Sequence, residues 1–77
     1  MHGNRQPAPI IWRAFEVDAT KLLIAHNHPS GDNSPSRSDL AVTRMMASVA
    51  GHLGIQMMDH LIYGAGDWFS FRRAGLL

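Results

Sequence analysis

The stretch HNHPSGDNSPSRSD, residues 26–39, gathers most of the side chains in this sequence that can do chemistry. His26 and His28 stand two apart, a spacing that in extended backbone points both imidazoles to one side while Asn27 faces away. A pair of imidazoles is a partial ligand set for zinc. A catalytic zinc takes three protein ligands and keeps a fourth position for water, so a carboxylate is the missing piece. Asp39, where the next helical segment starts, is the carboxylate that a folded-back loop would bring in. Pro29 and Gly31 suit such a fold-back, one fixing φ and the other permitting positive φ. Ser36 would then lie beside the metal, where its hydroxyl could donate to a substrate carbonyl oxygen as negative charge develops.

The same residues also support a plainer reading. Ser36 and Asp39 have the spacing of a capping box, in which the serine caps a helix and the acidic side chain reaches back to the cap backbone. The loop is therefore either a metal and catalytic loop or a turn followed by a helix cap.

The elements that must position it follow from hydrophobic pattern. Residues 1–8 are polar and read as a flexible segment, and Pro9 suits the first turn of a helix. From Ile10 to about Ala19, the spacing of Ile10, Ile11, Ala14 and Phe15 predicts a short amphipathic helix with Glu16 and Asp18 towards water. KLLIAH is a compact apolar run whose length favours a buried strand, with His26 at its C-terminal end. The Gly, Pro, Ser and Asn loop stops at SRSDLAVTRMMASVAGHLG, where Val42, Met45, Met46, Val49 and Leu53 follow helical spacing. IQMMDHLIYG and WFSFRR read as strands joined by the turn GAGD. The expected fold is α/β: helix, strand, loop, helix, strand, strand, with a parallel crossover followed by an antiparallel hairpin in a small mixed sheet.

Composition narrows the function classes. A chain of 77 residues allows one small domain of marginal stability. It has no cysteine, so disulfides and thiolate metal sites are excluded and any zinc site must use nitrogen and oxygen. A formal charge of +1 gives no electrostatic reason for tight binding to phosphate backbones, which argues against nucleic acid as a partner. The longest apolar runs are too short for a membrane span and no signal peptide is visible, so a cytoplasmic location is the expectation.

HNHPSGDNSPSRSD also resembles the JAMM (MPN+) metallohydrolase signature: His-x-His-Pro, six residues, Ser, two residues, Asp. HNHPSGD with PSxxD is wording typical of the RadC family, and the resemblance continues through LGIQMMDHLIYG and WFSFRRAGLL, from about Pro7 onward. It implies an MPN (JAB, cytidine-deaminase-like) fold. It also implies zinc held by His26, His28 and Asp39, Ser36 assisting hydrolysis, and a peptide or isopeptide as substrate. RadC-like proteins carry the label of DNA repair proteins. In the family a glutamate on an earlier strand serves as general base, and the only glutamate here, Glu16, lies directly before KLLIAH and is expected to face solvent. PAP at Pro7–Pro9 replaces the family's usual PRE. The chain thus reads, over residues 9–77, as the C-terminal half of a RadC-type MPN domain, metal-binding with an incomplete catalytic set or a silent interaction module. Lacking the early strands, it should expose a sheet edge and self-associate or bind a partner chain.

His60, after Asp59, is expected to be structural, the sharper alternative being a place just behind the metal or against substrate. His52 sits near a helix C-terminus, where positive charge is favoured. His2 falls in the polar N-terminal segment. Trp12, Trp68, Phe69 and Phe71 read as core or interface aromatics, and Arg72 and Arg73 form too short a basic run to signal nucleic acid.

Overall fold

A computed structural model of the protein describes residues 10–77. His2, Pro7–Pro9 and the expected flexible segment lie outside the described residues. Four strands and one helix follow in order: β1 (Trp12–Asp18), β2 (Lys21–Asn27), α1 (Arg37–His52), β3 (Gln56–Gly64) and β4 (Asp67–Ser70). The strands form one sheet in the order β1-β2-β3-β4, with β1/β2 antiparallel, β2/β3 parallel across α1, and β3/β4 antiparallel. The fold is the expected α/β arrangement with a mixed sheet, except at its beginning.

The helix predicted over 10–19 is strand β1. Its alternation is the operative period: Trp12, Ala14 and Glu16 pair with His26, Ile24 and Leu22 of β2, and Trp, Phe and Val suit a pleated surface. The link is a tight turn in which Asp18 Oδ1 accepts from the Thr20 backbone N–H at 2.8 Å and from the Thr20 hydroxyl at 3.0 Å. The strand predicted from WFSFRR stops at Ser70, and the chain then turns, with Phe71 fully buried.

Parallel pairing of β2 with β3 slips by one residue between Leu22 and Leu23, so that Leu22 faces Met57 while Leu23 faces Asp59. Met58 is the extra residue of a bulge. Because side chains alternate, that single insertion exchanges the faces of everything after it: it puts His60 beside Ile24 on the α1 side of the sheet. Arg72 secures the bulge, its Nε donating to the Met58 carbonyl and its Nη2 to that of Met57 at 3.0 Å. Asp59, sent the other way, accepts from the Ser70 hydroxyl and the Arg72 backbone N–H.

The buried apolar core is small: Ile24, Ala50, Met57, Ile62 and Phe71. Thr43 and Ala50 are the buried residues of α1 beside Asp39, whereas Met45, Val49 and Leu53 of the predicted apolar stripe stay exposed. They line a groove completed by Ala14, Leu22 and Ile24 on the sheet.

Candidate metal centre

β2 carries His26 on its α1-facing side and ends at Asn27, so His28 follows as the first residue of the loop. The backbone N–H of His28 donates to the Tyr63 carbonyl at 2.8 Å, holding the loop to the end of β3. The loop turns back at once, with Gly31 N–H donating to the His28 carbonyl at 3.0 Å and Gly31 at φ +89°. Gly64 makes room for it: a Cβ there would lie 2.9 Å from the Gly31 oxygen and 3.1 Å from the Asn33 nitrogen. The returning chain enters α1 through a full capping box. Ser36 Oγ accepts from Asp39 N–H at 3.0 Å, and Ser36 N–H donates to Asp39 Oδ2 at 2.8 Å.

The result is a triangle. His26 Nε2 and His28 Nε2 are 3.0 Å apart, His26 Nε2 lies 3.4 Å from Asp39 Oδ1, and His28 Nε2 lies 3.1 Å from Asp39 Oδ2. Donor atoms bound tetrahedrally at about 2.0–2.1 Å stand roughly 3.3 Å from one another, so this spacing fits a zinc-sized cation. The three residues form the one group among the described residues with the makings of a metal site. His28 is already in the right tautomer, because its Nδ1 lies 2.7 Å from the Asp32 carbonyl. A carbonyl can only accept, so Nδ1 carries the proton and Nε2 keeps its lone pair.

Electrostatics favour the same protonation state. Burial pushes the His26 pKa down, with nearby His28 acting in the same direction against the attraction of Asp39. Burial alone would raise the Asp39 carboxyl, but the Ser36 hydrogen bonds and both histidines more than reverse this and hold it below the usual carboxylate range. A neutral His26 beside an ionised Asp39 is the pairing that binds a metal.

The capping reading of Ser36 is realised, and it leaves the His26, His28 and Asp39 cluster in place. The cap uses a lone pair of Oγ, leaving the hydroxyl proton to donate, with Ser38 Oγ at 3.1 Å as one acceptor. Glu16 is exposed on β1 and pairs with Leu22, four residues along β2 from His26 and thus about 13 Å away at strand rise. His60 is wholly buried, its Nε2 2.8 Å from His26 Nδ1 and its ring stacked on Phe71 at 4.3 Å. It stands directly behind His26.

Two neighbours were not foreseen. Trp12 stacks on the His26 ring with centroids 3.9 Å apart, and the Thr43 hydroxyl meets His60 Nδ1. The tight turn at Ala19–Thr20 is the signal that could have found Trp12, since a short hairpin fixes it opposite His26. Thr43 is one helical turn beyond Asp39, on the same face.

With this geometry in place, comparison with known proteins identifies the lineage. A profile of the RadC-like JAB domain matches residues 3–76. The chain belongs to the RadC-like JAB domain family. Among curated relatives, a UPF0758 protein of Rhodobacter capsulatus is 46% identical over 76 residues, covering 99% of this chain and 36% of that protein. One from Aquifex aeolicus is 42% identical over 72 residues, 94% of this chain and 31% of its own length. Another, from Lactococcus lactis, is 39% identical over 71 residues, 92% of this chain and 31% of its own. The RadC-like chain therefore spans about a third of the length of the curated relatives it matches. No helix among its described residues is long and apolar enough to cross a membrane.

Proposed function

We propose that this RadC-like JAB domain holds one zinc ion through His26, His28 and Asp39 and serves hydrolysis of an amide bond in a peptide or isopeptide. The observation that carries the reading is the convergence of three lone-pair donors at 3.0 to 3.4 Å from one another. Lone pairs so placed repel unless a metal ion or a shared proton lies between them. Bound there, zinc would supply Lewis acidity towards a carbonyl and towards water. The chain's own residues would do the rest. His28, fixed by the Asp32 carbonyl, and His26, held under Trp12, orient the donors. Ser36 would direct its free proton to the carbonyl oxygen as charge develops on it. Among the described residues, no carboxylate besides Asp39 reaches the triangle. General-base assistance contributes about 10²–10⁴-fold, so zinc binding should outlast efficient turnover in this chain by itself.

Zinc stoichiometry on the folded protein tests the reading, with Asp39→Ala as control. About one zinc per chain, lost in the variant, is the expected result; a folded wild-type chain that takes up none refutes it. A second reading, a silent assembly module, draws on the exposed apolar side chains of β1, Trp12, Phe15 and Val17. It predicts partner binding that persists in Ser36→Ala and no hydrolysis in either protein.

A further inference from the structure

Three contacts run in series behind the triangle. His26 Nδ1 lies 2.8 Å from His60 Nε2, His60 Nδ1 meets Thr43 Oγ1, and the Thr43 hydroxyl donates to the Asp39 backbone carbonyl at 2.7 Å. We propose that Thr43 and His60 form a tautomer relay that keeps the Nε2 lone pair of His26 aimed at the metal. The inference rests on the zinc reading above and assigns two positioning residues to it.

Donor and acceptor capacities fix where each proton sits. A backbone carbonyl accepts and never donates, so the single proton of the Thr43 hydroxyl goes to Asp39. Thr43 Oγ1 can then only accept from His60, which fixes the His60 proton on Nδ1. His60 is completely buried, which disfavours a charged ring, so with its one proton on Nδ1 its Nε2 is bare. A bare Nε2 accepts from His26 Nδ1–H. That leaves His26 Nε2 unprotonated, facing His28 and Asp39.

The reversed chain is the competing arrangement. There Thr43 would donate to His60, His60 Nε2–H to His26 Nδ1, and a proton would occupy His26 Nε2 where a ligand lone pair is required. It also sets the Thr43 and Asp39 oxygens lone pair to lone pair at 2.7 Å. The forward direction satisfies every contact and frees the ligand atom. The relay ends on the main chain of Asp39, whose side chain is itself in the triangle. One helical turn of α1 therefore fixes a ligand on β2 as well as its own.

Nitrogen-15 imidazole correlation spectra of the zinc-loaded protein test the relay, together with zinc dissociation constants for Thr43→Val and Thr43→Ser. The spectra should show His60 and His26 each protonated on Nδ1. Thr43→Val, matched in shape but without the acceptor, should weaken zinc binding about tenfold, while Thr43→Ser should keep wild-type affinity. His60 protonated on Nε2, or Thr43→Val binding zinc as tightly as wild type, overturns the relay and leaves the zinc reading intact. If Thr43→Val fails to fold, the His60 tautomer in the wild type decides alone. A folded wild type that binds no zinc overturns the zinc reading and the relay with it.

Discussion

Ser36 shows how one side chain can answer two demands. Its Oγ caps α1 by accepting from Asp39 N–H, and its proton remains to donate. Replacement by glycine costs a helix cap only a few tenths of a kcal/mol, whereas alanine costs about 1 kcal/mol. Ser36→Ala should therefore unfold at lower denaturant than Ser36→Gly, both should keep zinc, and any hydrolysis should fall equally in both. A larger fall in Ser36→Ala would tie the loss to the cap. In the sequence, cap and metal loop looked like alternatives because each used Ser36 and Asp39. They coexist because a carboxylate has two oxygens with several lone pairs: Asp39 Oδ2 accepts from Ser36 and faces His28, while Oδ1 faces His26. His26, His28 and Asp39 were legible from local spacing. Trp12 and Thr43 lie outside that spacing: each meets the site through strand register or strand-to-helix packing, to which only the tight turn at Ala19–Thr20 and the one-turn helical step from Asp39 point.

At the level of elements, β2, α1, β3 and the β3–β4 hairpin could be read from run length, capping signals and glycine turns. The segment before β2 could not be read correctly from spacing alone. Ile10, Ile11, Ala14 and Phe15 make one stripe on a helix but split between the two faces of a strand, and the decision for a strand comes from pairing with β2. The bulge at Met58 was equally hidden, because the adjacent methionines Met57 and Met58 are the same residue type and nothing in the sequence says which of them is the extra one. A second element-level constraint is Gly64, where the end of β3 touches the loop that carries His28. Gly64→Ala would press a methyl group into the Gly31 and Asn33 backbone, which cannot yield as a flexible side chain does. Overpacking of this kind costs about 1–3 kcal/mol. The variant should lose stability and bind zinc more weakly, because the loop carrying His28 must shift. Wild-type zinc affinity in Gly64→Ala would show that the loop adapts without disturbing its ligand.

For the whole molecule, the small core makes pH and assembly count. Burial, reinforced by His26, pushes the His60 pKa from 6.5 down to about 4, and burial lowers His26 as well. Between those values the unfolded chain takes up protons that the native chain refuses. Stability is present at neutral pH and is lost as pH falls from about 6.5 towards 4, at up to ~1.4 kcal/mol per pH unit for His60, and His26 acts in the same direction. The urea midpoint of metal-free protein should drop between pH 7.5 and 5, and an unchanged midpoint would refute this. Among the described residues β1 is an edge strand, exposed along its whole length, with Phe15 49% and Val17 54% accessible. An open edge with an apolar face invites pairing with a second chain. A second copy that binds only the folded form would add stability by mass action. Sedimentation at micromolar concentration should show self-association, and the melting temperature should rise with protein concentration. Phe15→Lys, which adds charge to the edge away from the metal triangle, should shift the protein towards monomer while leaving zinc uptake unchanged. A monomeric wild type with a concentration-independent melting temperature would mean that the edge is tolerated unpaired.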